Sequence, residues 1–441
     1  MTDTALKSTF LPELGKRTQG KVRDIYEDKN TLKFITSDRI SVFDRVLNEA
    51  IPDKGRILNE ISLFWFDKTK DIIPNHFIQS IDPNVMVVLK CKPFMVEVIV
   101  RNYLTGSLWR TYEKGERRKC GILLPEGLKK HDQLPHIIIT PSTKSLSGHD
   151  EDISKEELID KEIVTKEQWN QIEKKSLKLF RRGQEVLKEK GIILVDTKYE
   201  FGTDENGNIT LIDEVHTPDS SRFWFTKDFE RNELNFPDKE FAREYCRNHG
   251  FIGEGVAPII PEEVISKIQE GYKDVYETIT GKILESINSS VPIRVLKSLR
   301  EANLIKGYFV VLITSNEIDQ PHTNKIASKL EDSGIPYASY LGPRYTAPKK
   351  CITLIEEYNQ SLEPVVCIIV EKESNALSEM FAEKLRWPVI ACPSLTDTSD
   401  YIENIRTWIQ EPNNAPVLTV IGPENAALAA KKILKSMELT I

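Results

Sequence analysis

A short acidic stretch near the middle of the chain contains residue types that can hold a metal ion or an anionic substrate. It reads VDTKYEFGTDENGNITLIDEVHTPDSSRFW and covers residues 195–224. Asn206-Gly207 lies between two runs of strand-forming residues, which predicts a β-hairpin with a two-residue type I′ turn. In that register Glu200 lies directly opposite Asp213, and both side chains project from one face of the sheet.

Like charges that face each other across a ladder destabilise it, so we expect a cation beside Glu200 and Asp213. Asp196 and Lys198 lie on the same predicted face, because side chains alternate along a strand. Oxygen ligands without histidine or cysteine favour a hard cation, and two carboxylates with phosphate oxygens are a common way to hold magnesium. We therefore predict a magnesium ion that arrives with a nucleotide. An exposed, charged ribbon without a ligand is the alternative interpretation.

Four segments carry charged and hydroxyl side chains that could form a ligand site, and the second and third of them also suit binding of phosphate groups. They are TPDSSRFW (217–224, with Asp219, Ser221 and Arg222), QGKVRDIY (19–26, with Gly20, Lys21 and Arg23), VRNYLTGSLWR (100–110, with Arg101, Ser107 and Arg110) and TPSTKSLSGHDEDIS (140–154, with Lys144 and the run His149-Asp150-Glu151). The last segment is too long to be a simple connector, and such loops are often functional. The alternatives are a solvated strand face for residues 19–26, a turn with surface arginines for residues 100–110 and a flexible surface loop for residues 140–154.

Secondary-structure patterns divide the chain into regions that must position these segments. Residues 20–110 are rich in predicted strands, and residues 307–441 alternate short apolar strands with helices, as in a parallel α/β unit. PEEVISKIQEGYKDVYETITG predicts a helix with Pro261 in its first turn and Gly281 past its end. The predicted organisation is a β-rich lobe over 1–110, an α/β lobe over 111–285, a linker over 286–306 and a parallel α/β domain over 307–441.

Composition excludes several classes of protein. The formal charge is −7, 29% of the residues are charged and 40% are hydrophobic, which argues against general nucleic-acid affinity. The N-terminal sequence does not have the build of a signal peptide, and the apolar runs are too short to cross a bilayer. The six cysteines show no C-x-x-C spacing, so neither a disulfide framework nor a thiolate zinc site is expected. We expect a cytoplasmic protein.

The ordered set of motifs over residues 10–282 resembles the phosphoribosylaminoimidazole-succinocarboxamide synthase family, also called SAICAR synthetase. These motifs are GKVRDIY, TSDRISVFD, KGRILNEISLFWF, VEVIVRNYLTGS, TPSTK, LVDTKYEFG and LIDEVHTPDSSRFW. The resemblance implies a two-lobed ATP-binding α/β fold. It also implies an ATP-dependent ligase of de novo purine biosynthesis, in which the carboxylate of carboxyaminoimidazole ribonucleotide is phosphorylated and L-aspartate then displaces the phosphate.

The resemblance also implies a role for individual residues of this chain. It implies catalytic roles for Lys144, Asp150 and Lys198, ATP contacts for Gly20, Lys21, Arg23 and Glu97, magnesium ligation by Glu200 and Asp213, and substrate contacts for Arg39, Ser41, Arg101, Ser107, Asp196, Asp219, Ser221 and Arg222. The implied cofactors are ATP and Mg²⁺, and the implied partners are small molecules rather than nucleic acid or membrane.

The third region resembles, more distantly, the aminoimidazole ribonucleotide carboxylase family. VVLITSNEID, IPYASYLGPRYTAP and PVIACPSLT stand where that family has a phosphate loop, a Ser-Ala-His segment and a later strand. Residues 339–348 contain Arg344 and Tyr345 but no histidine, and EKESNALSEM replaces a glycine-rich stretch. We therefore expect an inactive relic that supports homo-oligomer assembly; an active carboxylase, which would make the chain bifunctional, is the alternative.

Two other classes stay open for the whole chain. A phosphotransferase with a kinase-like nucleotide lobe would require a catalytic-loop His-Arg-Asp and an Asp-Phe-Gly, and the sequence contains neither. A non-catalytic scaffold would be expected to have lost some of the ionic residues, yet all of those named above are present.

Overall fold

The computed structural model describes residues 5–144, 150–234, 239–287, 289–342, 348–372, 375–394 and 415–438. The chain forms two compact units. The first unit comprises Met1–Lys7 and Gln19–Asn288, and the second comprises Ser8–Thr18 and Ser289–Ile441. The division of the first unit into lobes at residue 110 stays a prediction. No helix within the described ranges is long and apolar enough to span a bilayer.

The first unit contains two main antiparallel sheets. Its strands, with the short β1 where the chain passes between the units, are β1 (Arg17–Gln19), β2 (Arg23–Glu27), β3 (Thr31–Thr36), β4 (Arg39–Val42), β5 (Arg45–Ala50), β6 (Phe77–Asp82), β7 (Val85–Leu89), β8 (Lys92–Tyr103), β9 (Arg118–Lys119), β10 (Ile122–Leu123), β11 (Gln133–Ile139), β12 (Ser142–Thr143), β13 (Ile192–Thr203), β14 (Ile209–Ile212) and β15 (Ser221–Phe225). Strands β2, β3, β7 and β6 neighbour one another in that order, and the second sheet runs β11-β8-β13-β14, with β12 on β8 and β15 on β13.

Among the described residues of the first unit, seven helices pack around these sheets. They are α1 (Lys54–Thr69), α2 (Gly106–Glu113), α3 (Lys155–Asp160), α4 (Lys166–Lys188), α5 (Thr226–Glu230), α6 (Lys239–Asn248) and α7 (Glu262–Thr280). Helix α4 begins with a capping box between Thr165 and Gln168, and its apolar stripe, which includes Trp169 and Phe180, is fully buried. Helix α7 ends at Gly281 (φ 73°), which the sequence predicts. Helix α4 packs on the two long strands β8 and β13, and α7 packs on α1 and α6.

The second unit is a parallel α/β domain, as predicted. Its strands are β16 (Phe309–Thr314), β17 (Tyr337–Leu341), β18 (Val365–Glu371), β19 (Val389–Pro393) and β20 (Val417–Thr419), and its helices are α8 (Val291–Glu301), α9 (Gln320–Asp332), α10 (Pro348–Asn359), α11 (Ala376–Lys384) and α12 (Pro423–Glu438). The sheet order is β17-β16-β18-β19-β20, and all pairs are parallel. The described residues of β16, β18 and β19 are buried throughout, as parallel strands require.

An N-terminal segment, Ser8–Thr18, belongs to the second unit although the first unit follows it in sequence. The backbone N–H of Leu362 donates to the carbonyl of Phe10 (2.9 Å), and the Phe10 ring packs edge-on against Tyr358 with 5.4 Å between centroids. Leu11 is fully buried. We call this segment the strap.

A pair of carboxyl groups joins the strap to the rest of the second unit. The Glu13 carboxylate accepts hydrogen bonds from the backbone N–H groups of Lys306 (2.6 Å) and Gly307 (3.2 Å), and the Glu13 backbone N–H donates to Glu363 Oε2 (3.1 Å). Glu363 is fully buried. Burial, together with the charge of Glu13, raises the pKa of Glu363 to about 8. At neutral pH this pair therefore shares at least one proton.

We expect this pair to make the second unit less stable as the pH rises. The folded-state pKa of Glu363 lies above its unfolded value, so its contribution is complete below about pH 4.5 and is lost as the pH rises through about 8. Glu363→Gln should remove a pH-dependent loss on the order of 3 kcal/mol. The measurement is urea unfolding of the full chain from pH 5.5 to 9, with the exposed Glu383→Gln as control. An unchanged pH dependence in Glu363→Gln would contradict the assignment.

Candidate active site

The predicted hairpin forms with a different turn and register. Glu200 pairs with Ile212, and Thr203 pairs with Ile209, so Asp213 is not opposite Glu200. The turn spans Asp204 to Asn208, and only Gly207 in it has a positive φ (80°), whereas a type I′ turn requires two such residues. The Asp204 carboxylate accepts from the backbone N–H groups of Asn206 (2.9 Å) and Asn208 (2.8 Å). This Asx-type bonding stabilises a longer turn, so the predicted pairing was wrong by one residue.

The carboxylate that does face Glu200 is Glu97, on the neighbouring strand β8. Lys198 Nζ lies 2.6 Å from Glu97 Oε1 and 2.9 Å from Glu200 Oε1, and Lys144 donates to the other oxygen of Glu200. Burial alone would raise the pKa of Glu200, but Lys198 and Lys144 lower it to about 2. The two opposed carboxylates also hold the pKa of Lys198 well above its usual value despite burial of the ammonium. The expected cation between like charges is therefore supplied in this structure by lysine.

Asp213 reaches the same site from a strained position. It follows β14 and has a left-handed backbone conformation (φ 67°), which is rare for a residue other than glycine. The guanidinium of Arg23 binds Asp213 with one nitrogen and Glu214 Oε2 with the other (2.6 Å). Arg23 thus holds two adjacent carboxylates and joins the first sheet to this corner of the second.

A second ionic network crosses three adjacent strands. Asp196 is paired in register with Arg101 on β8 and with Arg222 on β15. Its Oδ2 accepts from Arg222 Nη1 (2.7 Å) and Arg101 Nη1 (3.4 Å), and Arg101 also donates to Ser107 Oγ (3.1 Å). A Cβ on Gly106 would lie 2.6–2.8 Å from the guanidinium of Arg222, so only glycine allows this approach. The network places two arginines and the Ser107 hydroxyl at the start of α2.

Two other predicted residues, Arg39 and Ser221, make contacts within the first unit. Arg39 donates to the carbonyls of Lys7 (2.6 Å), Gly20 (3.0 Å) and Lys21 (3.1 Å), and to Asp24 (2.9 Å), so it fixes the Gly20-Lys21 turn. The hydroxyls of Ser221 and Thr197 are 2.7 Å apart.

Asp219 is buried and receives hydrogen bonds from Lys54 Nζ (2.9 Å) and Tyr272 Oη (2.6 Å). Burial opposes its ionisation, yet Lys239 and Lys54 hold the pKa of Asp219 well below its usual value. This carboxylate is therefore a fixed negative charge within the site.

Many of these residues line one cavity of about 460 Å³. The predicted residues on its wall are Gly20, Lys21, Arg23, Ser41, Glu97, Lys144, Asp150, Lys198, Glu200, Asp213 and Asp219. A smaller cavity of about 210 Å³ is lined by Ser41, Ser107 and Arg222 from the predicted set. Arg39, Arg101, Asp196 and Ser221 support the walls rather than line these two cavities. His149, from the predicted loop motif, lies outside the described residues.

Sequence reasoning missed several residues of the two cavities. Asp44, Glu214, Lys239 and Arg243 line the larger one, and Arg243, Glu240 and Arg247 line the smaller one. Lys239, Arg243 and Arg247 recur at intervals of four residues on α6, which places three cations on one helix face. That spacing was the available signal.

The carboxylates suit a metal ion only if the ion brings other ligands. Within the described part of the chain, no group of three or more His, Cys, Asp and Glu side chains is placed to hold a metal ion. Glu200 and Asp213 line the same cavity and offer only oxygen donors. This donor set fits a hard cation whose remaining ligands are phosphate oxygens and water.

The second unit has its own cluster at the carboxyl ends of the strands. Asp319 is buried and accepts hydrogen bonds from Ser315 (2.9 Å) and from Ser394. His322 Nε2 lies 3.4 Å from Cys392 Sγ. Arg344 and Tyr345 lie outside the described residues.

Glu371, at the end of β18, directs its buried carboxylate to the first turn of α11. It accepts hydrogen bonds from the backbone N–H groups of Leu377 (3.2 Å) and Ser378 (3.0 Å). A protein carboxylate thus occupies the end of a helix at which an anionic ligand would otherwise be stabilised.

Comparison with known proteins agrees with this architecture. The SAICAR synthetase family model matches residues 16–257, and the AIR carboxylase family model matches residues 309–441. A phosphoribosylaminoimidazole-succinocarboxamide synthase of Azobacteroides pseudotrichonymphae is 46% identical over 289 residues, which cover 64% of this chain and 89% of the relative. The same enzyme of Legionella pneumophila (strain Paris) is 43% identical over 67% of this chain and 97% of the relative.

Solved structures extend the similarity to the fold. A SAICAR synthase from Saccharomyces cerevisiae, complexed with SAICAR, is 34% identical and covers 64% of this chain and 100% of that chain, with a TM-score of 0.58. Fold and relatives together define an α/β enzyme with a ligase role in purine biosynthesis. The chain belongs to the SAICAR synthetase family and has an AIR carboxylase-like domain after it.

Proposed function

We propose that this chain uses ATP and magnesium to join L-aspartate to carboxyaminoimidazole ribonucleotide through an acyl phosphate. The observation that supports this most directly is the wall of the larger cavity. Six cations and seven carboxylates are among its described lining residues, and none of these described residues is a cysteine or a histidine. Such a wall suits transfer of a phosphoryl group between anions.

The proposed reaction needs cations at both of its steps. The ribonucleotide carboxylate oxygen takes the γ-phosphoryl group, and ADP leaves. The amine nitrogen of L-aspartate then forms a C–N bond to the carboxyl carbon, while the bond between that carbon and the phosphate oxygen breaks. Phosphate leaves, and the proton lost by the amine passes to solvent. Lys21 and Arg23 would contact the nucleotide phosphates, and Glu97 would contact its ribose. Lys144 and Lys198 would neutralise the charge that develops at the acceptor carboxylate.

Glu200 and Asp213 would hold magnesium together with the phosphates of the nucleotide. The ion would neutralise phosphate charge and orient the transferred group. Lys144 and Lys198 neutralise Glu200 in the structure.

The ribonucleotide would bind along the second ionic network. Arg222 and Ser107 line the smaller cavity, and Arg101 lies behind them with Asp196 as the shared counter-ion. A guanidinium held by a buried carboxylate is oriented for bidentate binding of a phosphate group.

We expect release of ADP from ATP to require the ribonucleotide, L-aspartate and magnesium together in steady state. The reason is that the phosphoryl acceptor is the ribonucleotide carboxylate, and turnover continues only when the amine removes the acyl phosphate. A coupled ADP assay with each component omitted in turn tests this, and mass spectrometry of the product shows whether an amide has formed. ADP release at an equal rate without the ribonucleotide would show an ATPase or a different phosphotransferase.

For the second unit we propose a structural and oligomer-forming role rather than carboxylation. The supporting observation is Glu371, whose carboxylate occupies the start of α11 and would repel a substrate phosphate there. A carboxylated product formed by the full chain from aminoimidazole ribonucleotide and bicarbonate, at a rate comparable to ligation, would overturn this proposal.

A further inference from the structure

Lys239 is a buried cation whose charge the protein balances poorly. Its side chain is only 13% exposed, and its nearest carboxylate oxygen, Asp219 Oδ2, is 3.6 Å away. Asp219 already binds Lys54 and Tyr272 at 2.9 and 2.6 Å. Within the described ranges, the ammonium of Lys239 makes no hydrogen bond. An ammonium has three donors, so this position favours an anionic ligand.

The electrostatic surroundings of Lys239 point the same way. Burial lowers its pKa to about 8, and Arg243 and Lys54 add to this effect, while Asp219 only partly opposes it. A carboxylate bound beside Lys239 would supply the missing negative charge and raise that pKa.

Arg243 lies one turn further along α6, on the same face of the helix. Its Nη1 donates to Glu240 Oε2 (2.9 Å), and its side chain is partly exposed. Lys239 and Arg243 line both the larger and the smaller cavity, together with Ser41 and Asp44. These two cations therefore stand where the cavities share a wall.

The smaller cavity has an excess of positive charge. Its lining includes the cations Arg110, Arg222, Lys239, Arg243 and Arg247 against the carboxylates Asp44 and Glu240. Glu240 binds Arg243, Arg247 and, at 3.7 Å, Arg222. Glu240 makes no ion pair with Lys239, whose carboxylate partner is Asp219 at 3.6 Å. The ribonucleotide phosphate proposed above would balance the charge beside Arg222, which leaves Lys239 and Arg243 for a second anionic group.

We propose that Lys239 and Arg243 bind the two carboxylates of L-aspartate and thereby select a dicarboxylic amino acid. This assignment rests on the proposed ligase function and names the site of its second substrate. The amine of L-aspartate must reach the acceptor carboxylate beside Lys144 and Lys198 in the larger cavity, while its carboxylates need cations nearby. Lys239 and Arg243 meet both conditions because they line that cavity and its smaller neighbour.

The test compares Michaelis constants of the full-length protein and its Lys239→Met variant. We expect KM for L-aspartate to rise at least tenfold, while KM for the ribonucleotide and for ATP changes less than twofold. Lys239→Arg should recover part of the loss. Lys273→Met, which removes an exposed charge from α7, serves as the matched control.

Succinate is a dicarboxylate without an amine, and it isolates the contribution of the two carboxylates. It should compete with L-aspartate in the unmodified protein, and its inhibition constant should rise in Lys239→Met by about the same factor as KM. If Lys239→Met does not fold, the same measurements are made on Arg243→Gln, because Arg243 is partly exposed.

The outcomes separate this inference from the ligase function. If the unmodified chain turns over ATP without L-aspartate, the proposed function itself fails. If the ligase is active but the variants raise KM for the ribonucleotide instead, or leave KM for L-aspartate unchanged, the two cations bind another group and the inference is overturned.

Discussion

Replacement of Lys198 by methionine is expected to lower kcat at least about 100-fold and to destabilise the first unit by about 3–5 kcal/mol. Lys198 lies between Glu97 and Glu200, which face each other across β8 and β13, and its ammonium is the cation that binds both. Without it, the partly buried carboxylate of Glu97 faces the buried carboxylate of Glu200 with no cation shared between them. The reacting carboxylate of the substrate also loses a neighbouring positive charge.

A second substitution separates the two effects. Glu97→Gln in the Lys198→Met background removes one of the opposed charges, so the melting temperature should recover. The kcat should stay low, because the cation is still missing from the site. Urea unfolding and steady-state kinetics of the single and double variants form a double-mutant cycle. Recovery of kcat together with stability would mean that Lys198 serves only to hold the sheet together.

Glu200→Gln and Asp213→Asn are each expected to reduce kcat by roughly two orders of magnitude or more, a barrier increase of about 3 kcal/mol. Both carboxylates line the larger cavity, and each amide would be a poor ligand for a hard cation. The magnesium concentration needed for half-maximal rate should rise in both variants. Glu205→Gln, at an exposed position in the turn of the same hairpin, is the control.

The free energy of unfolding of Glu200→Gln should fall only moderately, whereas its kcat falls strongly. The pKa of Glu200 in the folded protein lies below its unfolded value. The ionised carboxylate therefore stabilises the folded state above about pH 4.5, and this stabilisation is lost as the pH falls towards 2. We expect a loss of about 2–3 kcal/mol at neutral pH. A folded variant with full activity and an unchanged magnesium requirement would show that Glu200 is a structural residue.

The sequence was sufficient to predict the elements that carry the site, but not all of their pairings. Repulsion between like charges predicted a cation next to Glu200, and lysines lie there in the structure. The sequence did not identify Glu97 as the opposing carboxylate, because it is more than 100 residues away and strand pairing over such a distance leaves no local signal. The turn at Asn206-Gly207 was misjudged because the side chain of Asp204 competes with the two-residue turn.

Other parts of the site depended on tertiary structure. The spacing of Lys239 and Arg243 places them on one face of α6, but only the fold brings that face to Asp219 and to the shared cavity wall. Arg39 is predicted to contact the substrate. In the structure its guanidinium donates hydrogen bonds to backbone carbonyls around Gly20. Which of its donors a guanidinium uses is set by neighbours that are distant in sequence.

The strap has a consequence for synthesis of the chain on the ribosome. Residues 8–18 leave the ribosome well before their partners around Tyr358 and Glu363, which follow about 350 residues later. At roughly 5–20 residues per second, Phe10 and Leu11 wait about 20 to 70 s for the surface that buries them. Nascent chains therefore expose Phe10 and Leu11 while the first unit is already folding. A chaperone that binds exposed apolar side chains would have that interval in which to act.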